Sequence, residues 1–74
     1  MDEQTPLRKI RRFRGMSQMQ VAARVGINQS HFSKIERGDV KPTPEVAEKL
    51  ARFFGHAITE LEILYPERYM EKTA

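Results

Sequence analysis

The sequence predicts an all-α domain of five short helices, and three observations carry that prediction. Helix starts and stops come in matched pairs: Thr5-Pro6, Ser17, Asn28 and Thr43-Pro44 open helices, and Gly15, Gly26, Gly38 and Gly55 close them. Between these marks the apolar residues recur at spacings of three and four, the period of one helix face. No segment alternates as a half-buried strand would, and no repeat or low-complexity stretch interrupts the pattern. Seventy-four residues suffice for one core and leave no room for a second.

The first helix is capped by Thr5, carries Pro6 in its first turn and stops at Gly15. Ser17 and Gln20 form a capping box at the start of the second, with Met16 and Val21 at the spacing of its hydrophobic staple. Ala22 is small where two steeply crossing helices would touch. Gly26 follows Val25, where the chain needs a left-handed residue to turn sharply. Ile27 can bury in the turn, Asn28 caps the third helix with Ile27 and Phe32 at staple spacing, and Gly38 ends it. Val21, Val25, Phe32 and Ile35 form one inner face across both helices. Together these positions describe a helix-turn-helix, with every sterically demanding place suitably filled.

The fourth helix opens at Thr43-Pro44 and turns Val46, Ala47, Leu50, Ala51 and Phe54 inward before Gly55. A short fifth helix is expected from about residue 58 to 64, presenting Ile58, Leu61 and Leu64 to the core, with Pro66 barring its continuation. The domain therefore spans residues 1–64. Residues 65–74 form a tail that either frays or joins a subunit interface. Ile63, off the expected core face, together with Tyr65, Met70 and the outlying Phe53, are the candidates for that interface.

Charge narrows the function. From Arg8 to Lys41 there are nine basic residues against Glu36 and Asp39, a balance of +7, while the remainder carries −4. A solvated surface could account for the charge alone, but the basic half coincides with the helix-turn-helix, which points to double-stranded DNA as the partner. The absence of cysteine fits a reducing compartment. The N-terminus lacks the apolar run of a signal peptide, and no stretch approaches the ~20 apolar residues of a membrane span, so a soluble cytoplasmic protein is expected. His31 and His56 have no cysteine or paired carboxylate spaced to complete a metal or acid–base site, so neither cofactor, metal nor enzyme activity is expected.

A helix in the major groove reads base edges with its first turns, while neighbouring side chains and helix N-termini hold phosphates. With Asn28 as cap, Gln29, Ser30, Ser33 and Lys34 lie on the face away from Phe32 and Ile35. Gln29 can pair bidentately with adenine, Lys34 can donate to guanine, and the two serines can donate or accept. Gln18 and Ser17 open the preceding helix, where free backbone N–H groups favour a phosphate. Asn28, His31, Arg37, Lys41 and Arg11 are further candidates for the phosphate backbone. Arg11 and Glu36 are also placed to form an ion pair joining the first helix to the third.

From Leu7 to Leu61 the chain resembles the lambda repressor and Cro type of DNA-binding domain, the XRE family. The matching residues are L-R-K-I-R at 7–11, G-M-S-Q at 15–18, V-A-A-R-V-G at 21–26, I-E-R-G at 35–38, Pro42, and L-A-R-F-F-G at 50–55. The resemblance implies a lambda-repressor-like five-helix domain that binds a partly palindromic operator as a homodimer. It gives Gln18 a phosphate contact, turns Gln29, Ser30, Ser33 and Lys34 to the bases, pairs Arg11 with Glu36, and lays the loop from Arg37 to Thr43 along the backbone. Pro44 and His56 depart from the apolar residues usual in that family. The function expected is a transcriptional regulator, most simply a repressor of the phage or restriction–modification controller kind, bacterial or phage-encoded and associated with the nucleoid. The rival is an antitoxin or other protein-binding module whose main partner is a protein.

Overall fold

The computed structural model describes residues 4–69. Within them the chain forms α1 (Pro6–Phe13), α2 (Gln18–Val25), α3 (Gln29–Arg37), α4 (Pro44–Phe53) and α5 (Glu60–Leu64), followed by a 3-10 turn at Pro66–Arg68. The described residues contain five α-helices and no strand.

Each helix starts where a short polar side chain answers its first free N–H groups. The side chains of Thr5, Ser17, Asn28, Thr43 and Thr59 accept from the N–H of Arg8, Gln20, His31, Val46 and Glu62 respectively. A cap of this kind stabilises by about 1 kcal/mol, which matters for helices of only five to ten residues. Ser17 and Gln20 bond reciprocally, each side chain to the other's backbone. Pro44 takes the first position of α4, where its missing N–H costs nothing.

The turn between α2 and α3 rests on Gly26, whose φ of 77° lies in the left-handed region. Its N–H and that of Ile27 both reach back to the carbonyl of Ala22, closing the end of α2. Ala22 is itself buried at the helix crossing. Leu7, Val21, Val25, Phe32, Ile35, Ala47, Leu50, Ala51, Phe54, Ile58 and Ile63 complete one continuous core. Phe32 and Phe54 are its largest members.

The fifth helix differs from expectation. It begins at Glu60 behind a Thr59 cap, so Ile58 lies before the helix rather than within its period. Thr59 and Glu62 form a second capping box, and Ile58 and Ile63 flank it at staple spacing, both 2% exposed. Leu61, expected in the core, is 53% exposed instead. Ile63 is therefore a core residue and not available to a subunit interface. Leu64 packs partly buried against the core, and His56 sits exposed in the loop with a positive φ of 62°.

Candidate nucleic-acid interface

Helix α3 has two polar faces with opposite fates. On the outer face Gln29, Ser30 and Lys34 are exposed and Ser33 half-buried. These four converge with Gln18 of α2 and with Arg37 on a shallow concavity of about 520 Å³. The sequence-based readers and the α2 phosphate candidate thus share one surface.

The remaining candidates are placed unequally around it. Ser17 Oγ and Asn28 Oδ1 are engaged as caps, at 3.1 Å from Gln20 N and 2.7 Å from His31 N. His31 is half-buried. Arg37 gives its Nε to Asp39 Oδ2 at 3.0 Å across an exposed contact, leaving both Nη groups without a bond to the described residues. Lys41 donates from Nζ to the carbonyl of Leu64 at 3.0 Å and so leans toward the C-terminal turn.

On the inner face of α3 the Glu36 side chain is fully buried. Arg11 grips both of its oxygens, Nε on Oε1 and Nη2 on Oε2 at 3.3 Å, and gives Nη1 to the carbonyl of Met16 at 2.8 Å. Arg8 Nε reaches Oε2 at 3.2 Å and Gln18 Nε2 reaches it at 2.8 Å. Burial pushes the Glu36 carboxyl toward the neutral form. The bonds from Arg11, Gln18 and Arg8, with the charge of Arg11, outweigh it and hold the carboxyl below the ordinary glutamate value. No buried side-chain nitrogen or oxygen among the described residues lacks a partner.

This arrangement revises Arg11 as a phosphate contact. Its side chain is only 12% exposed and its guanidinium is spent on Glu36 and Met16, so it braces the interface from behind. Gln18 serves both sides, since one amide hydrogen goes to Glu36 while the side chain still lines the outer concavity. Arg8 escaped sequence reasoning. It sits one turn before Arg11 on α1 and reaches the carboxylate across 28 residues of sequence, a contact that local spacing does not signal.

The interface candidates of the C-terminal half also separate. Phe53 is half-buried, meets Phe54 edge-on at 4.9 Å, and borders a concavity of about 430 Å³ with Arg24, Lys49 and Arg52. Tyr65 is half-buried, and its ring is met by two cations of its own chain, Lys41 and Arg68. Met70 lies outside the described residues. Among those residues no group of His, Asp or Glu is clustered as a metal site, and no helix is long and apolar enough to cross a membrane.

A capped polar helix, set on a second helix by a left-handed glycine and flanked by cations, defines a DNA-binding module. The helix-turn-helix family model matches residues 7–61, and the chain belongs to that family, one of DNA-binding transcriptional regulators. It is similar to the cryptic phage CTXphi transcriptional repressor RstR of Vibrio cholerae, 36% identical over 74% of this chain and 50% of that protein. The present chain thus spans about half the length of that relative. It is also 34% identical to the uncharacterized HTH-type transcriptional regulator y4dJ of Sinorhizobium fredii, over 78% of this chain and 73% of that one. An uncharacterized HTH-type transcriptional regulator of Archaeoglobus fulgidus is 32% identical over 92% of this chain and 97% of its own. No solved structure matches the chain.

Proposed function

We propose that this protein is a sequence-specific repressor that occupies a partly palindromic operator as a homodimer. The observation that carries the reading is the outer face of α3: Gln29, Ser30, Ser33 and Lys34 gathered beside Gln18 and Arg37 on one surface, backed by the rigid Glu36 cluster. Gln29 and Lys34 read base edges, Ser30 and Ser33 adjust to either donor or acceptor, and Gln18, Ser17, Asn28, His31 and Arg37 hold the flanking phosphates. Two subunits would set their recognition helices roughly 34 Å apart, one turn of duplex. Bound at a promoter, such a dimer represses by excluding other proteins. The Vibrio relative is named a transcriptional repressor, which supports the same direction.

Selection of bound sequences from a random duplex pool tests this, run with the wild type and with a Gln29→Ala, Lys34→Ala double variant. A two-fold symmetric site that the double variant no longer selects is the expected result. Salt-sensitive binding with no sequence enrichment would refute it.

One surface favours a second reading. Phe13 is 85% exposed and borders a groove of about 420 Å³ with Ile10, Ile58, Tyr69, Lys9 and Glu62, an apolar seat rimmed by one charge of each sign, of the kind a protein-binding module would use. A stoichiometric partner lost on Phe13→Ser substitution would support the antitoxin class over the repressor.

A further inference from the structure

The C-terminal turn is fastened to the end of the recognition helix. Pro66 is buried, and its Cγ lies 3.6 Å from where a Cβ on Gly38, the residue that ends α3, would stand. Beside this contact the Tyr65 ring carries two cations, Lys41 Nζ and Arg68 Cζ, each 4.6 Å from its centroid. The two charges therefore lie no farther apart than twice that distance. Among the described residues no carboxylate, Glu67 included, pairs with either of them.

Among the described residues Lys41 makes a hydrogen bond to the backbone, while Arg68 makes only its contact with the Tyr65 ring. Lys41 spends one ammonium hydrogen on the carbonyl of Leu64, the last residue of α5, and keeps two. The end of α3 needs no cation, because the carbonyls of Lys34, Ile35 and Glu36 are taken by Asp39 N, Gly38 N and Thr5 Oγ1. Arg68 is exposed, and its guanidinium makes no hydrogen bond to the described residues. Two like charges against one aromatic ring, with no carboxylate of the described residues paired to either, leave donors that an anion can engage. Their position beside the loop that leaves α3 selects the phosphates of the same duplex that α3 reads.

We propose that the turn Tyr65–Arg68 belongs to the DNA-binding surface, with Tyr65 holding Lys41 and Arg68 together as a two-cation clamp on the phosphate backbone beyond the end of α3. The clamp rests on the DNA-binding reading of α3 and extends it past the helix-turn-helix, beyond residues 7–61.

The test is equilibrium binding of the full chain to the selected duplex and to a scrambled one, from 50 to 200 mM salt, for the wild type, Arg68→Gln and Arg52→Gln. Arg52 is an exposed control on α4, paired with Glu48. Arg68→Gln is expected to weaken both duplexes severalfold and to flatten the plot of log affinity against log salt by about 0.9, one phosphate's share. Arg52→Gln should run parallel to the wild type. Wild-type binding matched in affinity and slope by Arg68→Gln would overturn the clamp and leave the reading of α3 standing. An equal effect from Arg52→Gln would reduce the result to net charge and overturn it as well. A lowered melting temperature for Arg68→Gln with an unchanged slope would assign Arg68 to the fold instead. Failure of the wild type to bind any duplex would remove both the clamp and the function beneath it.

Discussion

One helix carries two polar surfaces that behave as different materials. On the inner side of α3, Glu36 is buried and receives hydrogen bonds from α1 through Arg8 and Arg11 and from α2 through Gln18. On the outer side of the same helix, Gln29, Ser30 and Lys34 stand exposed and make no side-chain hydrogen bond to the described residues. The inner residue fixes where the helix lies; the outer ones are hydrated and open to a partner. A recognition surface of free donors and acceptors is useful only if the element bearing it does not move, and the same helix supplies both conditions.

Glu36→Ala should break the comparison from the inside and have the largest effect. It leaves the Arg11 guanidinium largely buried without its counter-charge, and urea unfolding should show a loss of about 3–5 kcal/mol. Unchanged stability would show the cluster to be decorative. Arg11→Ala removes a bidentate grip but leaves Arg8 and Gln18 on the carboxylate, so a smaller loss, about 1.5–3 kcal/mol, is expected, with weaker DNA binding alongside it. Normal stability with weakened binding would restore Arg11 to the phosphate backbone.

Acid titration sharpens the same contrast. The folded pKa of Glu36 lies below its unfolded value, so its contribution is present above the ordinary glutamate range near ~4.3 and is lost as pH falls through the lowered folded value. The melting temperature of the wild type should fall across that acid window more steeply than that of Glu36→Gln, and parallel curves would contradict the assignment. The smallest effect on stability belongs to the outer face. Gln29→Ala and Lys34→Ala should each change unfolding free energy by less than about 0.5 kcal/mol, while each removes about 1–3 kcal/mol of base discrimination. A large stability loss at either position would mean that the outer face is not free.

What could be read in the sequence follows the range of the interactions. Thr5, Ser17, Asn28 and Thr43 act within three residues of themselves, so their caps, and with them four helix starts, were legible from spacing alone. The α2–α3 turn was legible because Ala22, Gly26 and Ile27 form a local motif. The face of α5 was misread because a five-residue helix has too little length for a period to register. Its true signal was the Thr59–Glu62 capping box with Ile58 and Ile63 as staple. The contacts of Arg8 and Gln18 with Glu36 join residues 28 and 18 positions apart, and nothing in local spacing specifies which donors converge on a carboxylate. The same holds for Tyr65, whose cations come from both sides of α4 and α5.

The hydroxyl of Thr5 accepts from the Arg8 N–H at 3.3 Å and donates to the carbonyl of Glu36, 31 residues away. One oxygen thereby ties the opening turn of α1 to the closing turn of α3. Deuterium uptake at the Arg8 amide is then a built-in gauge of how firmly α3 is seated. If DNA clamps α3, protection should rise at this amide, on a part of the chain the duplex need never touch.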